Sequence, residues 1–315
     1  ARPRLRPAPA FGTGHHGWQA EPMLDDPGLP RLQLPLPEPV EITSPDGTPI
    51  ATYDLGGPGD DLLLVHATGF CAGVWTPLAG GLPEHRRAAL DVRGHGRSGT
   101  PAAGMHWDGT ADDVLATIDA LGLEHPFGVG HSMGGASLVL AEQARPGTFR
   151  GLWLFEPIIF PPQLRSDDGS GNPLADGARR RRARFDSAQA AYENFARKPP
   201  LSELSPAALS AYVQYGFELQ DDGSVELRCR PEVEAATYEM GGVHHAFDHL
   251  AEVGCPVTVV RGTDRFPGPA SFAPQVADGL PVGHLESHPE LGHFGPLQDP
   301  AAMAASIESA VTAAS

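Results

Sequence analysis

Short apolar runs alternate with amphipathic segments of helical length along much of this chain, and this alternation restricts the fold more than any other feature. The apolar runs lie at 61–67, 87–92, 126–130, 151–155 and 256–260. The helical segments lie at 111–123, 132–144 and 301–314. Continuous apolar runs are typical of strands buried on both faces of a parallel sheet. The sequence therefore predicts an α/β fold, with a mostly parallel sheet and helices on both faces.

Three regions depart from this alternation. Residues 1–38 contain prolines too densely spaced for helix interiors or central strands, which predicts an irregular N-terminal extension. Segments 40–42 and 50–55 flank the turn sequence SPDGTP and predict a hairpin. Between 157 and 244 the pattern is mainly helical, with at most one short strand at 224–229. We therefore expect an extension (1–38), a core (39–156 and 245–315) and an inserted helical cap (157–244).

The charge and cysteine content exclude several classes of protein. There are 22 lysines and arginines against 39 aspartates and glutamates, a net charge of −17 that disfavours nucleic acid and anionic membranes as partners. The three cysteines are far apart, so neither a disulfide framework nor a zinc site is indicated. No apolar run follows the arginines at 2, 4 and 6, and none is long enough to span a bilayer. We expect a cytoplasmic protein with a small-molecule substrate, and self-association stays open.

The most specific motif is Gly130-His131-Ser132-Met133-Gly134, which directly follows the strand PFGVG and opens a helix. This is G-x-S-x-G in a strand–turn–helix context, where small neighbours allow a tight turn that exposes the serine Oγ. The helix N-terminus supplies backbone N–H groups and a positive dipole end to a developing oxyanion. The alternative is a serine that only caps a helix.

Four further segments, together with this motif, resemble an alpha/beta-hydrolase. They are HATGF (66–70), DVRGHGRSG (91–99), RGTDR (261–265) and LGHF (291–294), and each follows a predicted strand or the expected last strand. The resemblance covers residues 40–156 and 245–315, and implies a mostly parallel, eight-stranded type of sheet with a cap inserted after strand 6. The segment 157–244 matches this family only in position.

The resemblance implies a catalytic triad. Ser132 would be the nucleophile and His293 the general base. Asp264 follows the strand PVTVV in a Gly-Thr-Asp turn and is the expected acid. Glu156 ends the preceding strand and is the alternative acid. The chain order Ser, Asp, His agrees with that of the family.

The resemblance also implies an oxyanion hole of two backbone N–H groups. Met133, directly after the nucleophile, would supply one. The second is expected from Phe70 in the HATGF loop, with Thr68 as the alternative. His131, Trp75 and His245 are expected to contact substrate. The family mechanism requires no cofactor and no metal.

Two histidine- or arginine-rich segments allow more than one interpretation. His244, His245, Asp248 and His249 have helical spacing and could bind metal, face a substrate or be structural. The basic run 178–185 is either a solvated helix face or a contact for an anion. The aromatic residues of the insertion could line a pocket or form the core of the cap: Tyr192, Phe195, Tyr212, Tyr215 and Phe217.

The motifs favour hydrolysis of a carboxylic ester or lactone through an acyl-enzyme. C–C bond hydrolysis, thioester cleavage and cofactor-free perhydrolysis use the same residues and stay open. A non-catalytic ligand-binding receptor of the same fold is the alternative from another class. The serine at the elbow disfavours the branches of the family that place aspartate there.

Overall fold

The structure is a computed structural model that describes Leu24 and residues 28–165, 172–263 and 268–315. We number its elements in chain order. The strands are β1 (Val40–Thr43), β2 (Pro49–Gly56), β3 (Asp61–Val65), β4 (Arg86–Leu90), β5 (Phe127–His131), β6 (Gly151–Phe155), β7 (Arg184–Phe185), β8 (Phe217–Leu219), β9 (Val225–Leu227), β10 (Val257–Arg261) and β11 (Gly283–Ser287). The α-helices are α1 (Thr76–Ala79), α2 (Trp107–Leu121), α3 (Met133–Ala144), α4 (Pro173–Arg179), α5 (Ala188–Ala196), α6 (Pro206–Gly216), α7 (Pro231–Glu239), α8 (Pro269–Gly279), α9 (Gly295–Gln298) and α10 (Pro300–Ala313).

Eight strands form one sheet in the order β1-β2-β4-β3-β5-β6-β10-β11. β1 and β2 form the expected antiparallel hairpin, and β2 is also antiparallel to β4. All other neighbours in this sheet are parallel. The predicted α/β class with a mostly parallel sheet is confirmed, and the carboxyl ends of its parallel strands meet at one edge.

The central strands are buried on both faces. In β3, Leu63 and Val65 pack into one core cluster, whereas Leu62 and Leu64 pack into a second cluster on the other face of the sheet. Successive side chains point to opposite faces of the sheet, and both faces are buried. The strand is therefore a continuous apolar run in the sequence. The edge strand β11 is mostly exposed, so it has no such run and the apolar pattern does not predict it.

The insertion contains more strand than the sequence predicts. Strands β7, β9 and β8 form a small antiparallel sheet, so the expectation of at most one strand in this segment is wrong. β7 and β8 have two and three residues, which is too short for a recognisable pattern. Residues 166–171 of the insertion lie outside the described residues, and its boundaries at 157 and 244 stay a prediction.

Helix α6 of the insertion packs directly on the core. A Cβ atom added to Gly73 would lie 2.3 Å from the Tyr215 ring, so only glycine permits this contact. The described part of the N-terminal extension runs along the same helix: the Leu36 N–H donates to Tyr215 Oη at 2.8 Å, and Ser210 Oγ donates to the Pro30 carbonyl at 2.6 Å. Residues 1–23 and 25–27 of the extension lie outside the described residues. Within the described ranges, no helix combines the length and apolar character needed to cross a membrane.

Candidate active site

Ser132 occupies a sharp turn between β5 and α3. Its backbone has φ 55° and ψ −114°, a conformation that costs a non-glycine residue about 1–3 kcal/mol. Close packing around the turn requires its glycines. A Cβ atom at Gly134 would lie 2.1 Å from the Val65 carbonyl oxygen, and one at Gly130 would lie 2.7 Å from Gly135 Cα. The turn therefore holds the serine at the carboxyl edge of the sheet.

His293 lies in the loop between β11 and α9 and faces this serine. Its Nε2 atom is 3.2 Å from Ser132 Oγ, which is within hydrogen-bond reach for a general base. The side chain is 35% exposed. His131, directly before the nucleophile, donates from Nε2 to the His293 carbonyl oxygen at 2.7 Å. The buried ring of His131 therefore holds the backbone of the loop that carries His293.

Glu156 lies beside the other nitrogen of His293. It follows the last residue of β6, with a φ of 44°, and its side chain is 3% exposed. Its Oε2 atom is 2.6 Å from His293 Nδ1, and its Oε1 atom accepts a hydrogen bond from the Gly262 N–H at 2.8 Å. A buried carboxylate with both oxygens hydrogen-bonded orients the imidazole and keeps its Nε2 atom directed at Ser132.

Among the described residues, Glu156, the alternative acid, is the carboxylate beside Nδ1 of His293. A neutral imidazole that accepts a proton at Nε2 carries a single N–H at Nδ1, and that position is already taken by Glu156. Asp264 lies outside the described residues. Glu156 follows β6 in the chain, and the strand paired with it, β10, precedes the segment that contains Asp264.

The candidate oxyanion hole lies where α3 begins. Met133 is the first residue of α3, and the first N–H groups of a helix have no acceptor within it. The close approach of Gly134 to the Val65 and His66 carbonyls places the HATGF loop next to this helix end. However, the Phe70 N–H donates to the Ala67 carbonyl at 3.2 Å, so the expectation of Phe70 as second donor is disfavoured. Thr68, the alternative, becomes the better candidate.

His66 fixes the start of the HATGF loop. Its Nδ1 atom donates to the Ala67 carbonyl at 2.8 Å, and its Nε2 atom accepts from the Val92 N–H at 3.0 Å. Complete burial lowers the pKa of His66 to about 4, so the ring is neutral. Asp91 in the neighbouring loop is equally structural, because it accepts hydrogen bonds from Tyr53 and from the Ala72 and Arg97 amides.

Comparison with known proteins identifies the family. A model of the alpha/beta hydrolase family matches residues 62–306. A non-heme chloroperoxidase from Streptomyces lividans is 29% identical over 276 residues, which cover 79% of this chain and 95% of that protein. The chain belongs to the alpha/beta hydrolase family.

Solved structures show the same fold. An E-2-(acetamidomethylene)succinate hydrolase superimposes with a TM-score of 0.72 at 21% identity, covering 87% of this chain and 99% of the other. An esterase from Rhodococcus sp. ECU1013 superimposes with a TM-score of 0.67 at 21% identity, covering 89% of this chain and all of the other. At this identity, these two similarities bear on the fold alone.

A cavity of about 480 Å³ lies beside the HATGF loop of this alpha/beta hydrolase. Thr68, Gly69 and Phe70 line it from the core, and so does Phe294, which follows His293. Of the aromatic residues expected in a pocket, Phe195 and Tyr212 line this cavity. Arg181 and Phe185, which belong to the basic run 178–185, also line it. Glu234 and Tyr238 were not identified from the sequence, because their position here depends on how the insertion packs.

None of the three residues expected to contact substrate lines this cavity: Trp75, His131 and His245. Trp75 is completely buried in the core cluster on one face of the sheet. The His245 side chain is 71% exposed and pairs with Asp248 at 3.1 Å. It belongs to a different surface pocket, which His106, His244 and His249 also line.

The histidine-rich segment 244–249 is structural in its observed contacts. His244 donates from Nε2 to the Ile158 carbonyl at 2.6 Å and packs against Trp107. His249 pairs with Glu252 at 2.8 Å, outside the 244–249 group. Among the described residues, no set of three or more His, Cys, Asp or Glu side chains is arranged to hold a metal ion.

Proposed function

We propose that this protein is a serine hydrolase that cleaves a carboxylic ester or lactone of a small, partly apolar substrate. The observation that carries the proposal is the position of His293, which bridges Ser132 Oγ at 3.2 Å and Glu156 Oε2 at 2.6 Å. Acyl transfer by a serine requires a nucleophile hydrogen-bonded to a base, and a base hydrogen-bonded to an acid.

In this mechanism, Ser132 Oγ attacks the carbonyl carbon while His293 Nε2 takes its proton. The Met133 N–H and an N–H of the HATGF loop, best assigned to Thr68, stabilise the oxyanion. Such a donor contributes about 10²–10³ in rate. His293 then returns the proton to the leaving oxygen, and water releases the acyl group in the reverse sequence. Glu156 keeps its contact with His293 Nδ1 and stabilises the imidazolium that forms.

Perhydrolysis is a second candidate for the same site. It is favoured by the similarity to a protein named non-heme chloroperoxidase over nearly the whole length of that relative. Hydrogen peroxide in place of water would attack the acyl-Ser132 ester, release a peroxy acid and regenerate the serine hydroxyl. This reaction needs no residue beyond those of the hydrolase. C–C bond hydrolysis, thioester cleavage and non-catalytic binding are outcomes that a substrate panel would distinguish.

A fluorophosphonate probe and a short 4-nitrophenyl ester test the proposal. We expect wild-type protein to be labelled and to turn over the ester, and Ser132→Ala to do neither. Ser137→Ala is the matched control, because Ser137 lies in the same helix and bonds to Thr110 and the Met133 carbonyl instead of His293. Wild-type protein that is neither labelled nor active, or an active Ser132→Ala variant, would contradict the proposal. Addition of hydrogen peroxide and acetate, with peroxy acid as the readout, tests perhydrolysis.

The cytoplasmic location and the absence of a nucleic-acid partner stay predictions based on charge and composition.

A further inference from the structure

The cavity beside the HATGF loop is rich in positive charge, although the chain as a whole has a net charge of −17. Its described lining includes the cationic side chains of Arg181, Arg182 and Lys198, and Glu234 is the one carboxylate among those residues. A local excess of positive charge on a negatively charged protein attracts a negatively charged ligand.

The innermost cation, Arg181, is already neutralised. It forms an ion pair with Glu234 and donates to Tyr212 Oη at 2.7 Å. This group lies directly against the HATGF loop, because a Cβ atom at Gly69 would be 2.8 Å from Glu234 Oε1 and 3.6 Å from Arg181 Nη1. The pair therefore forms a polar but neutral wall beside the candidate oxyanion hole.

The two other cations have weaker partners. The Arg182 guanidinium lies over the Phe185 ring at 4.4 Å, and its Nε atom donates to the Arg184 carbonyl at 2.7 Å. Its acidic neighbour Asp186 is 3.8 Å away and 98% exposed. Lys198 Nζ donates to the neutral amide oxygen of Asn194 at 2.6 Å. Among the described residues, no carboxylate forms an ion pair with Lys198. An exposed pair such as Arg182–Asp186 contributes little, so both cations can bind a further anion.

We propose that Arg182 and Lys198 bind a carboxylate of the substrate, whose apolar part occupies the cavity between the aromatic side chains. This inference rests on the proposed function and names its substrate class: an ester or lactone that carries a free carboxylate. The fork of an arginine matches a carboxylate, and a cavity of about 480 Å³ suits a small organic acid. Phe70, Phe195 and Phe294 supply the apolar walls.

A matched pair of substrates tests this assignment: 4-nitrophenyl hydrogen adipate, with its free carboxylate, and the methyl ester of the same compound. We expect wild-type protein to have a lower KM for the acid, and this preference to weaken with added salt. Replacing both cations (Arg182→Gln with Lys198→Gln) should raise KM for the acid by about tenfold, since exposed charges each contribute up to about a factor of five. KM for the methyl ester should not change.

Arg184→Gln is the control, because Arg184 belongs to the same basic run but pairs with Asp222 and does not line the cavity. It should leave KM for both compounds unchanged. A wild-type protein without preference for the acid, or a double variant that changes KM equally for both compounds, would overturn the proposal. Inhibition by inorganic phosphate as strong as that by adipate would overturn the assignment of a carboxylate.

Binding without turnover separates this inference from the proposed function. Calorimetric titration of adipate into Ser132→Ala should give saturable binding that the additional double substitution weakens about tenfold. If wild-type protein cleaves neither ester but this binding is observed, the hydrolase proposal fails and the anion site stands. If both esters are cleaved and adipate does not bind, the anion site fails and the hydrolase proposal stands.

Discussion

The Nδ1 atom of His293 lies 2.6 Å from Oε2 of Glu156, although 137 residues separate the two in the chain. The Gly262 N–H in turn donates a hydrogen bond to Glu156. Gly262 directly follows β10, the strand next to β6. The imidazole is therefore oriented by a carboxylate at the end of β6, and a backbone amide from the next strand fixes that carboxylate. This relationship leads to the first prediction.

Replacing Glu156 by Gln should reduce kcat by about 10³–10⁴, because the neutral amide cannot stabilise the imidazolium and can favour the wrong tautomer. The volume of the side chain is kept, so the protein should still fold, as circular dichroism would verify. Asp264→Asn is the matched control and should reduce kcat less than about threefold. Loss of activity in Asp264→Asn with retention in Glu156→Gln would restore Asp264 as the acid.

His131 should act as a positioning residue for His293. Replacing it by Leu removes the hydrogen bond to the His293 carbonyl and should lower kcat by about fivefold, in line with about 1 kcal/mol for such a bond. His131→Gln can still donate and should recover part of the loss. Steady-state kinetics should show the effect in kcat with KM nearly unchanged. An equal loss in both variants would indicate that ring packing, and not the hydrogen bond, is responsible.

Gly134→Ala should destabilise the fold by about 3 kcal/mol or more, because its Cβ atom would lie 2.1 Å from the Val65 carbonyl oxygen and backbone cannot easily move. Urea unfolding measures the change. Gly177→Ala in α4 is the control: no atom lies within 4 Å of its added Cβ, and the substitution should increase stability by up to about 1 kcal/mol. Normal stability of Gly134→Ala would contradict the described packing of the elbow.

Stability should decrease as the pH falls from about 6.5 to about 4. Burial lowers the pKa of both His66 and His244 from 6.5 to about 4. In each ring one nitrogen accepts a backbone N–H, from Val92 and Ala246 respectively, which requires the neutral form. As the pH falls, the unfolded chain binds protons first. The contribution of each neutral ring is therefore complete above pH 6.5 and is lost between pH 6.5 and 4.

Each histidine should contribute up to about 1.4 kcal/mol per pH unit to this loss. Urea unfolding at several pH values measures the slope. His244→Gln should reduce the slope by that amount, whereas His284→Gln, at an exposed position of β11, should leave it unchanged. A slope in His244→Gln equal to that of the wild type would contradict the prediction.

Some differences between prediction and structure have local physical reasons. Helix α2 begins at Trp107, four residues before the predicted start, because His106 caps it by accepting from the Gly109 N–H. The basic run 178–185 is not one helix face, since α4 ends at Arg179 and β7 begins at Arg184. Ion pairs with residues distant in sequence hold two arginines of this run: Arg181 with Glu234 and Arg184 with Asp222.

The sequence by itself determined the class of fold and the nucleophile elbow, because apolar periodicity and glycine spacing are local properties of a chain. The candidate partners of Ser132 came from the resemblance to the family. Only the tertiary structure decided which carboxylate reaches His293. Glu156 comes after β6 in the chain and Asp264 after β10, and these strands are parallel neighbours, so nothing local in the sequence distinguishes the two acids. The charge of the cavity was decided in the same way, because Arg182 and Lys198 are distant in sequence and line one cavity only in the folded insertion.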